Sequence, residues 1–218
     1  MTSDAAPVLL VLPVSYAYCF APDTYNVAWQ VRQALRAADR LSPCAGVDVF
    51  LYGDPADGGH TEDGLVVCTH VTPESLREWI AEWATLSNTG LAFLGDGRPA
   101  TRVERTFEIG NFSSRSHLEA LRRVVAALPG RTEPPLVLLR METSLDRKET
   151  VLAIRDAGER AAFWHLFGLE DALGTSFWSQ EGLYRGRVLP QLRVSTGTGW
   201  SHRAVARRFS RWRKRTPG

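Results

Sequence analysis

Apolar residues along this chain alternate between short unbroken runs and stripes with helical spacing. The unbroken runs are Val8–Pro13, Val47–Gly53, Leu65–Val71, Leu136–Met141, Ala161–Leu169 and Val188–Val194. Runs of this length with few charges are typical of strands covered on both faces, as in a parallel sheet. We expect Leu65–Val71 to lie nearer an edge of that sheet.

Between these runs, apolar residues recur every three or four positions, which predicts amphipathic helices. The first helix begins after Asp23 or Asn26 and ends before Pro43. Later helices are predicted to start at Thr72-Pro73, at a capping box over Ser116–Glu119, at Asp146, around Leu173–Leu183, and at Ser201. Alternating strands and helices predict an α/β fold with a doubly wound, mostly parallel, Rossmann-like sheet and helices on both faces.

One stretch departs from this alternation. Leu91–Leu94 and Arg102–Ile109 flank a Gly-Asp-Gly turn, which predicts a hairpin insertion over residues 90–109. The remainder of the sequence shows no linker and no internal repeat. We therefore expect residues 1–218 to form a single domain.

Composition narrows the class of protein. The chain has 26 basic and 24 acidic residues, so its net charge of +2 does not point to nucleic acid. The three cysteines are far apart and predict neither disulfides nor a zinc site. No apolar run approaches the length of a membrane span, and no signal-peptide pattern is visible. The sequence thus predicts a cytoplasmic protein with no membrane partner.

Several motifs occur in an order and spacing that resemble one family. They are PVLLVLPVSYAY at Pro7–Tyr18, VDVFLYG at Val47–Gly53, ERAAFWHLFGLED at Glu159–Asp171, SFWSQEGLYRGR at Ser176–Arg187 and RFSRWRK at Arg208–Lys214. On these motifs the chain resembles von Willebrand factor A (vWA) domains, and most closely those of bacterial tellurium-resistance and stress-response proteins. The most specific match is the Phe-Trp-x-x-Phe-Gly pattern of that family's fifth strand. The resemblance covers most of the chain outside residues 90–109 and implies a vWA fold.

The resemblance also implies a metal-ion-dependent adhesion site, in which strand tips bind a divalent cation through Asp-x-Ser-x-Ser, a Thr and an Asp. Carried over by position, these ligands fall on Pro13, Ser15, Ala17, Ser113 or Ser114, and Glu142. Magnesium needs near-octahedral oxygen ligands and is usually held through one or two carboxylates. A proline and an alanine offer no side-chain oxygen, so the site is expected to be degenerate. We expect no cofactor, the alternative being Mg²⁺ weakly bound at Ser15, Ser113 and Glu142.

By the same resemblance, the chain is expected to be a non-catalytic interaction module, an adaptor of a bacterial stress-response or defence system. Its partner would be a protein such as an ATPase or effector of the same system. The expected partner-binding residues are Ser15, Tyr16, Ser113, Ser114 and Glu142.

An alternative function rests on the C-terminal segment, residues 201–215. Its basic residues include Arg203, Arg207, Arg208, Arg211 and Lys214, with no acidic residue among them. The apolar Val205, Phe209 and Trp212 are spaced to face inward. Such a helix can bind nucleic acid through phosphates, or it can be an ordinary solvated face.

Other chemically suggestive residues have simpler structural interpretations. Cys68 and His70 share one face of a strand, which allows a catalytic pair but fits a small buried residue beside a strand-end histidine better. Asp54–Asp63 is rich in metal-ligand types without a metal-binding spacing. Ser195–Gly199 resembles an anion cradle but also suits a tight strand-to-helix turn.

Two further features bear on catalysis. His165 lies within an apolar run and reads as a core histidine. Glu142 and Asp146 are the only carboxylates predicted near the strand tips, so catalysis would require them to face each other across a pocket. We therefore do not expect an enzyme.

Overall fold

The computed structural model describes residues 7–14, 27–56, 64–85, 99–109, 114–129, 131, 133–141, 147–169, 189–196 and 200–215. Its strands are β1 (Val8–Pro13), β2 (Val47–Gly53), β3 (Leu65–Val71), β4 (Leu136–Arg140), β5 (Phe163–Leu169) and β6 (Leu192–Thr196). Its helices are α1 (Val27–Leu41), α2 (Leu76–Trp83), α3 (Arg102–Thr106), α4 (Ser114–Ala126), α5 (Arg147–Asp156) and α6 (His202–Arg215).

The described strands form one six-stranded sheet in the order β3-β2-β1-β4-β5-β6. Every neighbouring pair is parallel except β2 and β3, so the edge strand β3 is antiparallel. This confirms the predicted α/β fold with a mostly parallel, Rossmann-like sheet. The order 3-2-1-4-5-6 is that of the doubly wound dinucleotide-binding folds.

Each face of the sheet is covered by helices. Alternate residues of β1 explain this, because Val8, Leu10 and Leu12 point to one face while Leu9 and Val11 point to the other, and all are fully buried. The first face packs against α1, α2 and α6. The second face packs against α4 and α5.

On the first face, aromatic side chains hold α6 against β5. The Phe163 ring of β5 lies 6.0 Å from the Phe209 ring and 5.7 Å from the Trp212 ring, measured between centroids. Arg193 of β6 lies 5.8 Å above the same Phe163 ring. The predicted inward stripe of the last helix is thus confirmed, with Val205, Phe209 and Trp212 buried.

The hairpin predicted over residues 90–109 is wrong in its second arm, because Arg102–Thr106 form the helix α3. The carboxylate of Glu104 accepts hydrogen bonds from the backbone N–H of Thr101, at 2.7 Å, and from its hydroxyl, at 2.9 Å. Thr-x-x-Glu is a helix-start signal. It outweighs the apolar alternation that suggested a strand, and only an isolated bridge from Phe107 to Pro55 remains. The first arm, Leu91–Leu94, lies outside the described residues.

Other predicted boundaries also shift. The helix predicted from Thr72-Pro73 begins at Leu76, because Thr72 and Ser75 bond to each other in a preceding turn. The capping box at Ser116 is wrong, since α4 already begins at Ser114. The last strand begins at Leu192 instead of Val188, after a turn at Pro190. The short helix predicted around Leu173–Leu183 and the predicted caps at Asp23, Asn26 and Asp146 lie outside the described residues.

Among the described residues, no helix combines the length and the apolar character needed to cross a membrane.

Candidate functional site

The strand order reverses between β1 and β4. From β1 the chain continues to β2 on one side and later returns to β4 on the other. In open α/β sheets, ligands bind in the crevice outside the carboxyl ends of the strands at such a switch point. The described residues at this edge are Val14, which follows β1, and Met141, which follows β4; both are buried.

A buried chain of hydrogen-bonded polar side chains lies at this edge of the sheet. Tyr52, at the carboxyl end of β2, has its hydroxyl 3.0 Å from Nδ1 of His117. Nε2 of His117 lies 3.0 Å from the hydroxyl of Thr150. Tyr52 and Thr150 are fully buried and His117 is 2% exposed. The hydrogen bonds among Tyr52, His117 and Thr150 therefore join β2, α4 and α5 within the apolar layer of the second face.

Burial lowers the pKa of His117 to about 4. The imidazole is consequently neutral near pH 7, with one ring nitrogen donating and the other accepting. A neutral histidine with both nitrogens engaged and no bulk water beside it is a weak proton acceptor. The arrangement orients α4 and α5 at the carboxyl edge and does not resemble a general base poised near neutral pH.

Backbone contacts extend this order to β1 and β4. The N–H of Val14 donates to the carbonyl of Tyr52 at 2.7 Å, which continues the β1–β2 ladder past Pro13. The N–H of Met141 donates to the carbonyl of Phe167 at 2.8 Å, which ties β4 to β5. Arg140, the last residue of β4, is only 5% exposed. The edge is thus built from hydrogen-bonded backbone up to the last described residues.

Four of the five predicted partner-binding residues, Ser15, Tyr16, Ser113 and Glu142, lie outside the described residues, as does Asp146. Ser114 lies in the first turn of α4. The described residues next to them in the chain are Val14, Ser114 and Met141, and all three belong to the carboxyl edge around the switch point. Grouping of these positions at one edge stays a prediction.

Sequence reasoning missed Tyr52, His117 and Thr150 as a cluster. A usable signal was present, because His117 stands four residues before Leu121 and seven before Val124, on the inward stripe of α4. Thr150 stands four residues before the buried Ile154 in the same way. A polar residue on a buried helical stripe needs a partner.

The Cys68–His70 pair is not arranged as a nucleophile and a base. Nδ1 of His70 lies 2.8 Å from Oδ1 of Asp48, and the other oxygen of Asp48 accepts from Arg131 at 3.1 Å. Cys68 is exposed, which contradicts the expected buried residue. Partial desolvation of its thiol, followed by the charge of Asp48, nevertheless raises the pKa of Cys68 to about 11. An activated cysteine needs a lowered pKa, so the raised pKa of Cys68 does not favour a catalytic thiolate here.

His165 is a core histidine, as predicted, and is 1% exposed. Its Nε2 lies 3.0 Å from the hydroxyl of Ser195, at the carboxyl end of β6. Burial, with a contribution from the charges of Arg208 and Arg193, lowers the pKa of His165 to about 3. Such a histidine cannot serve as an effective base for Ser195 near neutral pH. Gly197, Thr198 and Gly199 of the suggested anion cradle lie outside the described residues.

The predicted basic helix is present as α6. Arg203, Arg207, Arg208, Arg211 and Lys214 are all exposed. Arg213 is paired with Glu133 at 2.8 Å. Ser201 caps the helix weakly, accepting from the N–H of Ala204 at 3.4 Å.

In the part of the chain that the structure describes, no three His, Cys, Asp or Glu side chains are grouped closely enough to hold a metal ion. Three residues of the Asp54–Asp63 loop, Asp54, Pro55 and Ala56, are described, and the backbone carbonyl of Asp54 accepts from Glu108 at 2.8 Å. The weak Mg²⁺ alternative at Ser15, Ser113 and Glu142 stays a prediction.

Taken together, the described residues define a Rossmann-like α/β protein whose carboxyl edge at the topological switch point is joined by hydrogen bonds. Comparison with models of protein families finds no match, and comparison with curated proteins finds no relative. The vWA resemblance therefore remains an inference from the sequence motifs.

Proposed function

We propose that this chain is a non-catalytic protein-interaction module whose partner docks on the carboxyl edge of the sheet. The observation that carries the proposal is the switch point between β1 and β4, whose surroundings are held in one arrangement by the Tyr52–His117–Thr150 chain. A preorganised edge lowers the entropic cost of binding a partner. The vWA resemblance supports the same surface, and on that basis the module is an adaptor in a bacterial stress-response or defence system.

The proposed contact residues are Ser15, Tyr16, Ser113, Ser114 and Glu142. Tyrosine suits an interface because its ring supplies a large contact area with few rotatable bonds. Glu142 supplies a charge that a cationic group of the partner could pair. Two of the expected metal ligands are replaced by Pro13 and Ala17, so docking is proposed to proceed with little or no metal.

The buried histidines support a non-catalytic role. His117 and His165 both have pKa values lowered by burial, to about 4 and about 3. The Cys68 thiol has a pKa raised to about 11. Each shift moves the group away from the pKa that acid–base or nucleophilic catalysis at neutral pH requires.

The test is capture of a partner by the tagged 218-residue chain from its own host at about 0.3 M salt, followed by affinity measurement with the purified partner. Tyr16→Ala and Glu142→Gln are expected to weaken binding at least tenfold. Glu159→Gln is the matched control, because Glu159 is exposed and precedes β5 at the opposite edge of the sheet. Chelation of divalent ions should change the affinity little. Equal binding by all three variants would refute docking at this edge.

A second candidate function, nucleic-acid association, is favoured by one specific observation. All seven basic side chains of α6 are exposed, while its apolar residues are used to pack against the sheet. Positive charge on one exposed face is the electrostatic signature of phosphate binding. Retention of nucleic acid that elutes as salt is raised, without a stoichiometric protein partner, would favour this function over the adaptor role.

A further inference from the structure

The helix α6 does not stand alone on its face of the sheet, because it packs side by side with α1. Nε1 of Trp200, just before α6, donates to Oε1 of Gln30 at 2.6 Å, and both residues are buried. Nδ1 of His202 lies 2.7 Å from Oε1 of Gln33, the next inward glutamine of α1. The Trp29 and Trp200 rings also meet edge to face at 6.4 Å. These contacts fix the two helices as one layer.

The outer surface of α1 is a row of arginines. Arg32, Arg36 and Arg40 are spaced four residues apart and all are exposed, whereas most other residues of this helix are buried. Four residues rise about 6 Å along a helix, so the row is about 12 Å long. On α6, Arg203, Arg207 and Arg211 repeat the same spacing and are also exposed.

Arginines from both rows lie near His202, at the start of α6. Burial lowers the pKa of His202, and the charges of nearby cations lower it further. These cations are Arg40 and Arg36 from α1 and Arg203 from α6. Beyond α6, the pKa of Arg193 on β6 is lowered by burial and then by Arg208 and Arg215. Arginines of α6 thus lie near charged or titratable groups of both α1 and β6.

Few acidic residues offset this charge. The two helices contain ten basic residues and a single acidic one, Asp39, whereas the whole chain is nearly neutral. The Asp39 carboxylate accepts the backbone N–H of Cys44. Among the described residues, the one ion pair that involves either helix is that between Arg213 and Glu133. A dense group of positive charges favours binding of a polyanion such as nucleic acid, because binding releases the counterions that surround the polyanion.

We infer that α1 and α6 together form one surface that binds the phosphate backbone of a nucleic-acid duplex without reading its base sequence. The inference rests on the second candidate function and extends it from one helix to two. Packed helices have axes about 8–10 Å apart, which lies between the widths of the minor groove, about 6 Å, and the major groove, about 12 Å. We expect the two arginine rows, one on each helix, to contact phosphates on either side of a groove.

The side chains favour a duplex over single strands or membranes. Single strands are bound largely by stacking of bases on exposed aromatic rings. In these helices Phe209 and Trp212 are buried and Trp29 is half-buried in contact with Trp200. A membrane-surface helix would likewise need its apolar face free to enter the lipid. That face of α6 is occupied by the sheet.

The experiment measures binding of the 218-residue chain to a labelled 24-base-pair duplex of mixed sequence between about 0.05 and 0.3 M salt. Three triple variants are compared with the unchanged protein. The two test variants are Arg32→Gln/Arg36→Gln/Arg40→Gln on α1 and Arg203→Gln/Arg207→Gln/Arg211→Gln on α6. The control variant is Arg122→Gln/Arg123→Gln/Arg155→Gln. The control removes the same charge from exposed residues of α4 and α5 on the opposite face. Thermal unfolding checks that each variant is folded.

Each lost phosphate contact should lower the slope of log affinity against log salt by about 0.9. We expect the α1 and the α6 variants each to bind the duplex at least tenfold more weakly, with the magnitude of this slope smaller by about two to three. The affinity of the control variant should change less than twofold. If the α6 variant loses binding and the α1 variant behaves as the control, the two-helix surface is wrong and the second candidate function stands. If the unchanged protein binds no duplex at 0.05 M salt, both fail.

Two further arms identify the class of ligand. A single strand of the same length should bind more weakly than the duplex, and tighter binding to it would overturn the duplex assignment. Unlabelled duplex should displace the labelled probe at lower charge concentration than polyglutamate. Equal displacement by polyglutamate would assign the surface to an acidic protein and overturn the inference.

Discussion

His117 Nε2 lies 3.0 Å from the hydroxyl of Thr150, and this buried hydrogen bond joins the first turn of α4 to the first turn of α5. Both turns lie at the carboxyl edge, beside the switch point of the sheet. The bond thus links the packing of the second face to the surface proposed for partner docking. The other ring nitrogen of His117, Nδ1, contacts the Tyr52 hydroxyl.

Replacing Thr150 by Val removes one hydroxyl and leaves Nε2 of His117 buried without that partner. A buried polar atom that loses its hydrogen bond costs about 1–3 kcal/mol, so Thr150→Val should lower the free energy of unfolding by that amount. Tyr52→Phe should act similarly at Nδ1. Urea-induced unfolding of both single variants and the double variant measures these costs.

The two substitutions act on one imidazole, so the double variant should cost less than the sum of the single variants. Thr85→Val is the control, because Thr85 is exposed and its hydroxyl bonds only within its own helix end, to Ile80. Its cost should be within about 0.5 kcal/mol. Strict additivity of Thr150→Val and Tyr52→Phe would show that the three side chains are not coupled.

Stability should fall on mild acidification because of His117. Its pKa is about 4 in the folded protein and about 6.5 in an unfolded chain, so the unfolded state binds more protons between these values. This contribution is fully present above pH 6.5 and is lost as the pH falls towards 4. Between pH 7.5 and 5 the loss is about 2 kcal/mol. His165, with a folded-state pKa of about 3, adds a similar loss in the same window.

Urea unfolding at pH 7.5, 6.5 and 5 measures this dependence. The His117→Gln variant should be less stable at pH 7.5 but should lose less stability on acidification than the unchanged protein. His165→Asn should flatten the dependence in the same direction. If the slope with pH is the same in all three proteins, the buried histidines do not control acid stability.

Gly168 is expected to tolerate no side chain. Its φ is +94°, and a Cβ there would lie 2.8 Å from the carbonyl oxygen of Met141. Gly158 provides a matched comparison, because its φ is +90° but a Cβ there would meet no atom within 4 Å. Both Ala variants carry backbone strain of about 1–3 kcal/mol. Gly168→Ala should lower the free energy of unfolding by at least ~1 kcal/mol more than Gly158→Ala does, because it also displaces the backbone at the end of β4.

Equal costs for Gly168→Ala and Gly158→Ala in urea unfolding would mean that the Met141 contact relaxes without penalty. The comparison also concerns function, because Met141 immediately precedes Glu142. An affinity for partner that falls in Gly168→Ala but not in Gly158→Ala would support docking at this edge.

Cys68 should react slowly with alkylating reagents despite its exposure. Its thiol pKa of about 11 leaves about one thousandth as thiolate at pH 8, and the thiolate is the reactive form. Time-resolved iodoacetamide labelling with peptide mapping should show Cys68 modified more slowly than the exposed Cys44. The Cys68 rate should still be rising with pH near 10. A plateau below pH 9 would contradict the raised pKa.

Much of the α/β frame was predictable from local patterns. The apolar runs over Val8–Pro13 and Val47–Gly53 appear as strands with these bounds, because an unbroken run of this length has few other ways to be buried. The terminal helix also follows its predicted stripe, with Phe209 and Trp212 inward. The prediction of a strand over Arg102–Ile109 was wrong because the helix-start signal from Thr101 to Glu104 was overlooked.

By itself, the sequence determined which segments become buried strands and amphipathic helices, because those choices depend on neighbours only one turn or one pleat away. It also placed a dense run of arginines at the C-terminus. The tertiary structure alone decided which distant residues meet. Tyr52, His117 and Thr150 come from three segments whose contact depends on strand order. The helix that carries the Arg32–Arg40 row meets α6 through a shared apolar core and through the bonds of Gln30 and Gln33 to Trp200 and His202. Helical periodicity indicates that His117 and Thr150 are buried, but it does not identify their partners, which depend on how distant segments pack.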